Sequence, residues 1–143
     1  MADELASANV NRAYSLAASS IAIFTFLLFF LYPRFASGEV DDLLYQATLV
    51  VMGVATFSFV YASFMYYCVS IGNPIDDARR AQLSRRADRS WLVGITLLFL
   101  APSLVLFALE LVAVALVWFA LWLAFVFSLV RYFPLIQRVA KRI

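Results

Sequence analysis

The sequence predicts an all-α integral membrane protein, a four-transmembrane-helix bundle with both termini cytoplasmic. Two observations predict this class. Of the 143 residues, 65% are hydrophobic and only 14% are charged, whereas soluble domains contain about 45–50% apolar and about 25% charged residues. The apolar residues are also gathered into stretches of roughly 20 residues, the length of helix that crosses a hydrocarbon core of about 30 Å.

Composition also argues against other classes. An aromatic share of 17% is too high for a disordered chain, and a single cysteine, Cys68, rules out an intrachain disulfide framework. The sequence contains no histidine, which is the usual ligand of zinc and the usual general base. Phosphate-loop and nucleophile-elbow motifs are also missing. We therefore expect no enzyme activity, no catalytic residues, no cofactor, no metal site and no nucleic-acid partner.

Helix 1 is expected at about 14–32 and helix 2 at about 43–71, within a single membrane domain that covers the chain. Pro33 closes the first apolar stretch and the Gly-Asn-Pro sequence at 72–74 closes the second, because proline cannot donate a helical hydrogen bond. Two acidic residues precede the first stretch, and its apolar run is longer than that of a typical signal peptide. We therefore expect helix 1 to be retained as a membrane span.

An Arg-rich cytoplasmic loop is expected at 73–90, followed by one long apolar block that a single charge, Glu110, interrupts. As one helix this block would be about 65 Å long, twice what a bilayer needs. We therefore expect a tight helical hairpin, with helix 3 at about 91–109 and helix 4 at about 111–133. An amphipathic C-terminal segment at 134–143 is expected to lie on the membrane surface.

The basic residues are distributed very unequally between the two sides of the membrane. Of the 11 Lys and Arg residues, all but Arg34 fall on the side of the termini and the Arg-rich loop. Because cytoplasmic segments carry the excess of Lys and Arg, both termini are expected to be cytoplasmic, in the inner or plasma membrane. These arginines are either a topology signal alone or contacts to anionic lipid headgroups, for which the candidates are Arg79, Arg80, Arg85, Arg86, Arg131 and Arg138.

Helix 4 has two chemically different faces at 100° per residue. Trp118, Phe119 and Trp122 fall on one face, which is expected to meet lipid. Small residues recur every four positions on the other face, where they allow close backbone approach. Two interpretations are open: this face packs inside one four-helix bundle, or it mediates self-association. The candidate packing residues are Ala113, Ala120, Ala124 and Ser128.

Helix 2 carries a polar stripe of hydroxyl-bearing side chains within about 100° of arc. Such a stripe is compatible with the lining of a hydrated path for an ion or polar solute. Alternatively, its hydroxyl groups bond to carbonyls of their own helix and the stripe packs against neighbours. The candidate path-lining residues are Thr48, Thr56, Ser63, Tyr66 and Ser70.

The expected outer side is acidic and contains Asp41, Asp42 and Glu110. If the chain assembles around an axis near the hairpin, these carboxylates form an acidic outer mouth that concentrates cations. Alternatively, Glu110 simply occupies a solvated turn.

Two functions are compatible with these features. The first is an oligomeric channel or transport unit for a small ion or solute, which the polar stripe and acidic side favour. The second is a non-catalytic accessory or scaffold subunit of a larger membrane complex, which the lack of charge within the spans favours. The expected partners are the lipid bilayer and either further copies of the chain or a larger membrane complex.

Overall fold

The computed structural model describes the chain at residues 2–38, 40–71 and 76–140, and its side chains at 7–38, 40–71, 76 and 78–131. These residues form four helices, each long and apolar enough to span a bilayer. The predicted all-helical class with four membrane-length helices is confirmed for this part of the chain. The helices are α1 (Ala2–Ala36), α2 (Asp42–Ser70), α3 (Asp77–Ala108) and α4 (Val112–Ala140).

Helix α2 lies between α1 and α3, and the three helices share a core built in layers. Near the α1–α2 connection the core contains Leu27, Met52 and Ala101. Ala17 and Phe59 occupy the middle layer, and the last layer is formed by side chains that include Tyr66 and Ala87. Neighbouring helices are therefore antiparallel, and every layer takes residues from α1, α2 and α3. Helix α4 packs mainly along α3.

The two ends of the helices differ in charge, and each is named here by its charge. The acidic end comprises Asp41, Asp42 and Glu110, at the α1–α2 and α3–α4 connections. The basic end carries exposed arginines from three helices. These are Arg12, Arg79, Arg85, Arg86, Arg89 and Arg131.

Helices α2 and α3 approach closely at Gly94. A Cβ atom at this position would lie 2.8 Å from Cε1 of Phe59 and 3.0 Å from two further ring atoms. The ring of Phe59 is fully buried, so it fills the space that any larger residue at position 94 would need. A glycine in the middle of an apolar helix therefore fixes the distance between the two helices.

Several helix boundaries differ from those expected, beginning with α1, which starts at Ala2 and not near residue 14. Helix α1 continues through Pro33 to its last residue, Ala36. Gly38 follows, and its positive φ of 77° suits a residue just beyond a helix end. Helix α3 begins at Asp77, so most of the expected loop at 73–90 is helical. Helix α4 extends to Ala140, into the expected C-terminal segment. The last three residues of that expected segment, 141–143, lie outside the described part of the chain.

The expected tight turn between the last two helices is present and centred on Glu110. The N–H of Leu111 donates to the carbonyl of Leu106 and that of Glu110 to the carbonyl of Phe107, a Schellman arrangement. Glu110 has φ = 60°, in the left-handed region that glycine usually occupies. The turn therefore reverses the chain within three residues but places a side chain in a strained backbone conformation.

Candidate functional site

The polar stripe of α2 largely coincides with the surface through which α2 packs. Thr48 and Ser63 are each 1% exposed, and Tyr66 is buried in the core layer nearest the basic end. Thr56 and Ser70 are half-buried beside them. Because that core layer also takes residues from α1 and α3, the stripe lies largely inside the three-helix core.

Three hydroxyl groups of the stripe are bonded within α2 itself. Thr48 and Thr56 donate to the carbonyl oxygen four residues earlier, over 2.7 and 2.9 Å. Ser70 donates to the carbonyl oxygen three residues earlier, over 2.9 Å. A hydroxyl whose proton is engaged in this way keeps only its acceptor lone pairs for other partners.

Of the other two stripe residues, only Tyr66 takes part in a polar contact between α2 and α3. Tyr66 Oη donates to Asp88 Oδ1 over 2.6 Å, a length typical of a bond to an ionised acceptor. Close by on α3, Ser90 Oγ donates to the carbonyl of Ser58 over 2.8 Å. The buried Oγ of Ser63 has no hydrogen-bond partner among the described residues. These side chains lie where the charged part of α3 meets its apolar part.

Asp88 is a residue that sequence reasoning missed, because charge density alone assigns it to a solvated stretch. Its position one helical turn before Trp91, at the edge of the apolar block, is the signal that identifies it. Gly94 is the second residue that the sequence analysis does not single out. A lone glycine inside an apolar helix is the feature that would have identified it.

The three candidate residues of the outer mouth all lie at the acidic end and are exposed. The backbone nitrogen of Asp41 lies 3.4 Å from the carbonyl oxygen of Ala108, which brings the start of α2 beside the turn containing Glu110. Asp41 Oδ1 also accepts a hydrogen bond from the N–H of Leu44 over 2.8 Å. Its carboxylate therefore caps α2, while Asp42 lies in the first turn.

Helix α4 is rotated opposite to the expected orientation within the bundle. Its aromatic side faces α3: Trp122 Nε1 donates to the carbonyl of Thr96 over 2.9 Å, and the rings of Phe99 and Phe125 lie 5.1 Å apart. An indole N–H in an apolar environment needs an acceptor, and α3 supplies one. The expectation that the small-residue face packs inside the bundle is therefore wrong. That face is exposed at all four candidates: Ala113, Ala120, Ala124 and Ser128.

The candidate headgroup contacts of α3 lie on the part of the helix that precedes Trp91. Arg80 is half-buried, and its Nε has no hydrogen-bond partner among the described residues. Arg131 is exposed at the basic end of α4, whereas Arg138 lies outside the residues whose side chains are described. The remaining arginines of α3 are exposed and share an arc of about 120° at 100° per residue. They are Arg79, Arg85, Arg86 and Arg89.

The apolar cavities between the helices of the described part of the chain include two larger ones that both α3 and α4 border. The first has a volume of about 390 Å³ and is bordered by all four helices, through side chains such as Phe26, Met52, Pro102 and Trp118. The second, of about 340 Å³, is a groove between α3 and α4 towards the basic end. Its walls include Leu92, Val93, Thr96, Val126, Leu129 and Val130.

Within the described residues, no three Cys, Asp or Glu side chains converge as metal ligands would. No protein-family model matches the chain, and no curated protein or solved structure is significantly similar to it. Function is therefore inferred from the geometry of the chain alone.

Proposed function

We propose that this chain is an integral protein of the inner or plasma membrane, with its basic end and both termini cytoplasmic. The four membrane-length helices support insertion, and the sorting of arginines supports this orientation through the positive-inside rule.

Within that membrane, we propose that the chain is a non-catalytic scaffold subunit that assembles with a second copy of itself through α4. The observation that carries this proposal is the exposed small-residue face of α4, on the side opposite to Trp122. Only 6% of the most apolar stretch of α4 is buried within the chain, compared with 22–28% for the other three helices. Helix α4 is therefore the one with most surface left for another helix.

The chemistry of the exposed face favours another helix over lipid. Lipid tails are as apolar as leucine, so association in a membrane depends on close packing and not on a hydrophobic driving force. Ala113, Ala120 and Ala124 let a second backbone approach, and the hydroxyl of Ser128 donates to the carbonyl of Ala124 over 2.9 Å. Because that proton is engaged within α4, this end of the face is compatible with tight apolar contact.

Light scattering of the detergent-solubilised protein tests the assembly. The expected result is a protein mass of at least two chains for the wild type and one chain after the double substitution Ala120→Ile with Ala124→Ile. The matched control is Val114→Ile with Leu123→Ile, two residues that are each 48% exposed but lie beside the small-residue face. The control should keep the wild-type mass. A monomeric wild type, or an unchanged mass in the alanine double variant, contradicts assembly through this face.

The orientation has a separate test in cells. Cys68 is the single cysteine of the chain, so Cys68→Ser gives a background in which new thiols are unambiguous. Ser37→Cys, near the acidic end, should react with a membrane-impermeant maleimide added outside. Gln82→Cys, near the basic end, should react only after the membrane is permeabilised. The reverse pattern contradicts the proposed orientation.

A channel or transport unit for a small ion or solute is the second candidate. It is favoured by the shared position of Asp41, Asp42 and Glu110 at one end and by the partnerless hydroxyl of Ser63. Protein in liposomes should then pass a cation flux that Glu110→Gln or Thr56→Leu changes. Absence of flux in sodium, potassium and calcium salts contradicts this second candidate and leaves the scaffold proposal intact.

A further inference from the structure

We propose that the groove between α3 and α4 at the basic end binds one anionic phospholipid of the inner leaflet. An acyl chain occupies the groove, and the lipid phosphate pairs with Arg89 and Arg85. This site is separate from the small-residue face of α4, which lies on the other side of that helix.

The groove results from the way α3 and α4 are joined. The turn at Glu110 holds their ends together, and the hydrogen bond from Trp122 to Thr96 holds them again four helical turns away along α3. Between that bond and the basic end, the groove between the two helices has a volume of about 340 Å³, which is within the range of sites that bind small molecules. Val93 of one wall is 49% exposed and Val130 of the other is 70% exposed, so the groove opens to the surrounding lipid.

The walls fit an acyl chain and not a polar ligand. They consist of aliphatic side chains and one hydroxyl-bearing residue, Thr96. Thr96 uses its carbonyl to accept the hydrogen bond of Trp122, so this backbone group is already engaged by α4.

Charge complementarity identifies the headgroup. At 100° per residue, Arg89 lies within about 40° of Thr96 and Val93, and Arg85 lies within about 20° of Leu92 and Thr96. Both arginines are exposed. They lie on the same side of α3 as the groove, between the groove and the basic end. Arg89 is about 6 Å along the helix axis from Val93, which is the depth of the headgroup region beyond the hydrocarbon core. Arg85 lies one helical turn, about 6 Å, further out, and guanidinium groups are suited to bidentate pairing with a phosphate.

Lipid binding to the delipidated protein, counted by native mass spectrometry in detergent, tests this proposal. The probes are dioleoyl phosphatidylglycerol and dioleoyl phosphatidylcholine, which share acyl chains and differ in headgroup charge. The wild type should retain one phosphatidylglycerol in preference to phosphatidylcholine. Arg85→Gln with Arg89→Gln should weaken phosphatidylglycerol binding about thirtyfold, because two arginines leave the phosphate. It should weaken phosphatidylcholine binding much less, because the choline ammonium of that lipid offsets the charge of its phosphate.

The controls separate a built site from general attraction to charge. Arg12→Gln with Arg79→Gln removes the same charge from the basic end and should keep the wild-type preference. Val130→Trp, which fills the groove from its exposed wall, should reduce binding of both lipids, and Val93→Trp does so from the other wall. The proposal is overturned if the control pair weakens binding as much as the groove pair, or if neither tryptophan reduces it. It is also overturned if inorganic phosphate at the same concentration as the lipid, and at matched ionic strength, displaces the lipid, because an anion without an acyl chain would then bind as tightly as the lipid.

Discussion

Replacement of Gly94 by alanine should destabilise the protein, whereas the same replacement at Gly53 should stabilise it. A Cβ at position 94 would lie 2.8–3.0 Å from three ring atoms of Phe59, while a Cβ at position 53 would meet nothing within 4 Å. Ordinary contact begins near 3.4 Å, so the ring must retreat by about 0.6 Å inside a packed core. Such overpacking costs about 1–3 kcal/mol, partly offset by the gain of about 1 kcal/mol in helix propensity.

The free energy of unfolding is therefore expected to fall by about 1 kcal/mol for Gly94→Ala and to rise by about 0.5–1 kcal/mol for Gly53→Ala. Titration with sodium dodecyl sulfate in detergent micelles, followed by circular dichroism, measures both values. Phe59→Leu supplies the second arm of a double-mutant cycle, because a smaller side chain gives the added methyl group room. A coupling of at least about 1 kcal/mol between the two positions is expected. Gly94→Ala variants that are as stable as the wild type, with no coupling to Phe59, would refute this account of the α2–α3 contact.

Three further substitutions test single contacts by the same unfolding measurement. Glu110→Gly should stabilise the protein by about 1 kcal/mol, because glycine adopts the positive φ without strain; a loss of stability would contradict the assigned turn. Trp122→Phe should cost about 1 kcal/mol by removing the hydrogen bond to Thr96, and an unchanged stability would show that the bond contributes nothing. Tyr66→Phe should cost about 1 kcal/mol because Asp88 loses its donor, while Tyr67→Phe, at an exposed neighbour, should be neutral; equal effects would contradict the contact.

The four helices and the final turn could be predicted because they depend on local properties of the chain. Apolar length determines which segments are able to span a bilayer, and Glu110 interrupts a block that is too long for one span. Helix ends were less predictable. Pro33 reads as a stop, yet α1 continues through it to Ala36, because a membrane helix tolerates proline when other groups satisfy the backbone carbonyl that it leaves without a donor. The Arg-rich stretch reads as a loop, but the residues from Asp77 onwards contain no helix breaker, so α3 continues through it.

The orientation of α4 was not predictable from the pattern of small residues. Small residues indicate close packing but not the identity of the partner, which depends on competition with the opposite face. Trp122 finds an acceptor on α3 and Phe125 finds an aromatic neighbour there, so the aromatic face packs and the alanines remain exposed. The packing partners of the polar stripe on α2 could not be predicted either. Periodicity places Thr48 and Ser63 on one face, but only the positions of α1 and α3 reveal that this face lies within a core.

Cysteine crosslinking along α4 in native membranes tests the proposed assembly most directly. In the Cys68→Ser background, single cysteines at positions 113–128 report which residues face a second copy when a mild oxidant is added. The scaffold proposal predicts disulfide-linked dimers at Ala113, Ala120 and Ala124, with a repeat of about 3.6 residues, and little product at Leu116 and Leu123. Dimers that are strongest at the two leucines, or absent at every position, would contradict assembly through the small-residue face.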